Sequence, residues 1–162
     1  MAITVQNSTE YANTLALPPV RNGTTDWNGR LRFQRFNFTQ TGGNGDVGSS
    51  ANLVKLPAGR VRVFLALSRI ATSAFGAART LDLGWAAYNA GADGSVVVAD
   101  PDGLDAAQSV SGAGSYNPTG TVGGDETYLF DSASGVLITA TVGGDTIPNS
   151  ATISGYIVYV HD

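Results

Sequence analysis

Apolar and polar residues alternate with a period of two along much of the chain, as expected of strands with one buried face. The clearest runs are RVRVFLALSR, where Val61, Val63, Leu65 and Leu67 share a face, and the closing ATISGYIVYVH. TLDLGWAAY sets Leu81, Leu83 and Trp85 against Asp82, Gly84 and Ala86, and further strands are expected in ANLVKL, SVVVAD, ETYLFD and GVLITATV. In RLRFQRFNF the parity slips, with Leu31 and Phe33 on one side and Phe36 and Phe38 on the other. A β-bulge near Gln34–Arg35 is expected to return all four to one buried face.

Seven or eight such strands, bounded by Gly, Pro and Asn turns, predict an all-β fold, an antiparallel β-sandwich of jelly-roll type. Residues 1–27 carry isolated apolar positions and a Pro18-Pro19 pair without a regular period, and read as an extended N-terminal arm. Residues 28–162 then form a single sandwich domain. Residues 71–79 read as a short helical turn or loop. Residues 101–120, rich in Asp, Gly, Ser and Asn, read as a long surface loop with at most a few β contacts. TVGGD occurs twice, at Thr121–Asp125 and Thr141–Asp145, and is read as two similar hairpin turns.

Composition narrows the chemistry. The 162 residues contain no cysteine, which excludes disulfides, a thiolate nucleophile and sulfur-ligated zinc. No stretch approaches 18 uninterrupted apolar residues and no basic segment precedes an apolar one at the N-terminus, so a soluble chain without export signal or membrane partner is expected.

Charge is divided unevenly. All nine Lys and Arg lie between Arg21 and Arg79, with only three acids in the first 80 residues, whereas residues 81–162 hold ten acids and no Lys or Arg. Such asymmetry marks a candidate interaction surface. GRLR and GRVR open two of the strands, and Arg30, Arg32, Arg60 and Arg62 are expected to form an outward basic face. Two readings stand: the face meets carboxylates of another chain, or it is neutralised by the acidic half of its own. Nucleic acid is disfavoured as a partner by the net charge of −4 and by aromatics that do not interleave with the basic residues.

Catalytic constellations are missing from the pattern. The sole histidine, His161, is penultimate, and no nucleophile turn or phosphate loop is present. DPDGLD at Asp100–Asp105 clusters three carboxylates about a Gly turn but lacks the spacing of a calcium loop. Neither an enzymatic activity nor a cofactor or metal is expected. Trp27, Trp85 and the tyrosines leave open a carbohydrate-binding module as an alternative.

LVKLPAGRVRVFLALSRIATSAFGAARTLDLGWAAY, ADGSVVVADPDGLD and the terminal SGYIVYVHD together resemble small virion structural proteins of tailed bacteriophages, the head decoration or cement proteins. The resemblance implies a β-sandwich knob made in the host cytoplasm and carried on the outer capsid surface. It further implies binding to the major capsid protein and self-association, most often as a trimer. An N-terminal arm commonly reaches a neighbour in such proteins, which would employ Ile3, Val5, Tyr11, Leu15 and Leu17 here. Another virion component, such as a tail, neck or fibre-base β-domain, is the nearest alternative.

Overall fold

The computed structural model describes residues 16–18, 20, 29–120 and 126–161. Its strands are β1 (Leu31–Thr39), β2 (Ser50–Leu56), β3 (Gly59–Thr72), β4 (Thr80–Trp85), β5 (Tyr88–Asn89), β6 (Val96–Val97), β7 (Asp100–Ser109), β8 (Gly114–Tyr116), β9 (Thr127–Ser132), β10 (Val136–Gly143) and β11 (Thr152–His161). One sheet runs β1-β11-β3, with β8 and β9 both pairing with β3; the other runs β2-β10-β4-β7. Every pairing is antiparallel, and the chain passes repeatedly from one sheet to the other, the arrangement of a jelly roll.

The alternating residues meet between the sheets. Val61, Val63, Leu65, Ile70, Ile153 and Ile157 descend from the first sheet onto Leu81, Leu83, Val136, Ile138 and Ala140 of the second, all of them buried. Trp85 closes one end of this layer, its ring tilted 36° to Tyr128 at 4.6 Å and edge-on at 5.3 Å to Phe130. Burial of this apolar surface is the main favourable term in folding.

Strand β3 is bent by an irregularity. Phe64 lies opposite Val158 and Arg69 opposite Tyr156, so four residues of β3 face one of β11. Ser68 ties this corner: its Oγ donates to the Phe64 carbonyl at 2.8 Å and accepts the Val158 amide at 2.9 Å. Asn117 Nδ2 donates to the carbonyls of Ala66 and Ser68 at 2.8 and 2.7 Å. Nearby, Gly155 has φ +151°, and a Cβ there would lie 1.9 Å from the Arg69 carbonyl oxygen, so only glycine lets the strands approach.

The structure corrects several expectations. β1 carries no bulge at Gln34–Arg35, because its register with β11 runs unbroken from Leu31↔Val160 to Thr39↔Thr152. Leu31 and Phe33 consequently point away from the core that receives Phe36 and Phe38. Leu67 does not continue the buried row of Val61, Val63 and Leu65, since the β3 corner turns it out to solvent. Residues 101–120 are no surface loop: β7 is a ten-residue edge strand that buries Leu104 and Asp105, and β8 follows it. Register shifts between Leu81 and Leu83 and between Leu83 and Trp85 break the period that would have revealed β7. SVVVAD yields only the two-residue β6, with Val96 and Val98 exposed. Of residues 71–79, the first two end β3 and the rest form a loop, the second of the two expected forms. The second TVGGD is no hairpin turn: its first three residues end β10, the chain bends at Gly144–Asp145 and then crosses to the other sheet, and the first TVGGD lies outside the described residues.

Removing the buried Ser68 hydroxyl takes away the partner of the half-buried Val158 amide. Ser68→Ala is expected to cost about 1–3 kcal/mol, read as a lower urea midpoint with an unchanged slope.

Candidate functional site

Antiparallel pairing sets which side chains share a face, and the outward face of the first sheet reads directly from the register. Leu31, Val160, Arg62 and Leu129 form one row across β1, β11, β3 and β9; Phe33, Val158, Phe64 and Thr127 form the next. The third row is Arg35, Tyr156 and Arg69, a tyrosine between two guanidinium groups with no acid in the row among the described residues. An apolar strip thus ends on a cationic border. Leu31 is 57% exposed and Phe33 69%, and between them a groove of about 350 Å³ is lined by Leu31, Arg32, Phe33, Arg35, Tyr156 and Val158. β1 is also the edge strand of its sheet. A long edge strand with exposed apolar residues invites pairing unless something covers it.

The arginines singled out in the sequence do not form one face. Arg60 and Arg62 project outward, whereas Arg32 lies opposite Tyr159 and so has the parity of the core, though at an open end where it stays exposed. Arg30 precedes the strand and is exposed. Arg60 faces Asp131 across the β3–β9 pair, and Arg62 is half-buried, with Nη1 3.5 Å from Thr127 Oγ1. Sequence reasoning missed Arg35 and Arg69, whose shared row is created by a pairing that joins residues more than 80 positions apart. Leu17 is 93% exposed, while Ile3, Val5, Tyr11 and Leu15 lie outside the described residues.

Cancellation within the chain is local. Arg79 Nη2 meets Asp145 at 2.9 Å and its Nε donates to the Thr146 carbonyl at 2.6 Å. The acids after residue 80 are spread over both sheets, and one of them, Asp93, lies at the opposite edge of the first sheet. There the β5–β6 hairpin continues past β9, through a bridge between Ala90 and Ser132 and an amide bond from Gly91 to the Asp131 carbonyl at 3.1 Å. Its turn carries Asp93, whose Oδ1 accepts the Ser95 amide at 2.9 Å; that bond holds the Asp93 carboxyl below the usual range. Burial, followed by the neighbouring Asp102 carboxyl, pushes Asp100 up.

Other candidate chemistry disperses. Asp105 turns inward, accepting the amide and hydroxyl of Thr119 at 3.2 and 3.0 Å, whereas Asp100 and Asp102 stay near Trp85 at the outer end of β7. Among the described residues no three carboxylate or imidazole groups converge. His161 Nε2 lies 2.8 Å from the Ala58 carbonyl oxygen. Trp85 is buried, and its indole Nε1 donates to the Val98 carbonyl at 3.3 Å, so it offers no platform for a sugar. Tyr116 is pushed up by burial and then by the carboxylates of Asp105 and Asp82.

Comparison with known proteins places this fold. No protein-family model and no curated protein matches the chain. Among solved structures, a chain of the cyanophage Pam1 capsid asymmetric unit is similar with a TM-score of 0.53 and 13% identity, over 83% of this chain and 86% of that one. The two are therefore of nearly equal length. A chain of the infectious bursal disease virus Gt strain aligns at TM-score 0.47 and 12% identity, over 82% of this chain but only 32% of its own length.

Two measurements check this geometry. Phe33→Ala is expected to change stability by less than about 1 kcal/mol, because the ring is largely in water, while Phe36→Ala costs about 3–5 kcal/mol. Burial outweighs the Thr119 hydrogen bonds and raises the Asp105 carboxyl above its ordinary 3.8. Its ionisation therefore opposes folding, and that penalty grows as pH climbs from 3.8 to the raised native value and is constant above it. Asp105→Asn keeps an oxygen for Thr119 and removes the penalty. Its urea midpoint, compared with wild type, should improve between about pH 3 and about pH 7.

Proposed function

We propose that the chain is a virion structural protein that decorates and cements a phage head, binding the major capsid protein at the outer surface of the shell. The observation that carries this reading is the jelly roll shared, at nearly equal length, with a chain of a cyanophage capsid asymmetric unit. Support comes from the exposed apolar strip of the first sheet and from cations that the chain leaves in solvent, Arg30 and Arg32 among them. Capsid contacts recur many times over a shell, so each interface need contribute little for the assembly to gain.

Lattice binding is assigned to the N-terminal side of the domain. Arg30 and Arg32 supply charge, and the preceding segment supplies Ile3, Val5, Tyr11, Leu15 and Leu17 as apolar anchors. Arg60 stands opposite Asp131 across the sheet and Arg62 is half-buried beside Thr127, which favours Arg30 and Arg32 for that role.

Mixing purified protein with expanded, undecorated capsids tests the assignment. Wild type is expected to reach hundreds of copies per particle, which separates a shell component from a tail component. Arg30→Glu/Arg32→Glu should bind about tenfold more weakly, about 1.4 kcal/mol, and raised salt should weaken wild type in the same direction. Unaltered occupancy for both Arg30→Glu/Arg32→Glu and Leu15→Asp/Leu17→Asp would remove the N-terminal side from the contact.

A further inference from the structure

The two edges of the first sheet carry complementary surfaces. At one edge the strip of Leu31, Phe33 and Val158 is bordered by Arg35 and Arg69 around Tyr156. At the other the β5–β6 hairpin presents Val96, 69% exposed, and Val98, 74% exposed, beside the ionised Asp93. Val96 and Val98 are two residues apart, as are Leu31 and Phe33. Each pair therefore spans about 7 Å along an extended chain, and the spacings match. No Lys or Arg occurs on the hairpin or anywhere after Arg79.

These surfaces cannot meet within one molecule. Four strand spacings, about 19 Å, separate β1 from β5 across β11, β3 and β9. They can meet between molecules. We propose that the β5–β6 hairpin of one copy seats on the Leu31/Phe33 groove of the next, Val96 and Val98 filling the apolar strip and Asp93 facing the Arg35–Tyr156–Arg69 border. Because donor and acceptor surfaces differ, the contact is head to tail, and successive copies close into a ring when the rotation permits. The occupant is a second copy of this chain because the described residues place no acid in the groove's cationic row, while a matching counter-charge, Asp93, is carried by the chain itself at the far edge of the same sheet. This goes beyond the lattice binding proposed above by naming a contact between copies of the chain.

The test uses the isolated full-length protein, so its failure leaves lattice binding untouched. In sedimentation analysis, wild type is expected as one species of at least three times 16.6 kDa. Phe33→Asp spoils only the groove and Val98→Asp only the hairpin, both at exposed positions, and each alone should be monomeric with unchanged circular dichroism. Mixed in equal amounts they retain one intact groove and one intact hairpin between them, and should form a dimer that grows no further. Should either substitution unfold the chain, the pair Arg35→Glu and Asp93→Arg serves instead: each loosens the ring at least tenfold, and both in one chain restore it. A monomeric or twofold-dimeric wild type, variants that keep the wild-type mass, or mixed variants that stay monomeric would each overturn the proposal.

Discussion

The unbroken antiparallel register between Leu31–Thr39 and Thr152–His161 is the constraint on which the outer surface depends. Side chains on paired strands alternate strictly, so committing Phe36 and Phe38 to the core commits Leu31, Phe33 and Arg35 to the opposite face. No local adjustment within β1 relieves this. Two large apolar residues are held in water by the same pairing that buries their neighbours, and Tyr156 and Val158 of β11 are brought alongside to complete the groove.

The polar arrangement follows from the same pairing. Guanidinium groups that lie far apart in the chain, Arg35 and Arg69, become neighbours across Tyr156, while Arg60 is set beside Asp131. The acidic half of the sequence is thus not folded over the basic half. Asp82, Asp100, Asp102 and Asp105 lie on β4 and β7 of the second sheet, and the β5–β6 hairpin carries Asp93 to the far edge of the first, where it stands in solvent. Inside, one carboxyl is kept: Asp105 holds Thr119 against β7, and Asp105 Oδ2 and the Tyr116 hydroxyl are buried with no hydrogen-bond partner among the described residues.

Much of the fold was legible in the pattern of residues. Leu81, Leu83 and Trp85, the first half of β3, β10 and β11 alternate because each has one face on the core, and the all-β sandwich follows from them. β7 was hidden because an edge strand tolerates Pro101 and because its bulges against β4 scramble the period. The β1 parity misled for a different reason. Apolar residues need not be inside, and a rule that places every Phe in the core invents a bulge to satisfy itself. The candidate face was only half visible. GRLR and GRVR announce guanidinium groups, but which of them share a side is decided by partners more than 80 residues away, beyond the reach of local spacing.

The corner in β3 has a mechanical consequence. Here backbone ladder bonds give way to ties from the Ser68 hydroxyl and the Asn117 amide, and β3 changes partner from β9 to β8 across the same few residues. A seam stitched by two side chains resists tension less than the continuous ladders on either side of it. Pulled from its edges, the sheet would yield first at Leu65–Ser68, bending as two stiff plates about a soft crease while the core beneath stays closed.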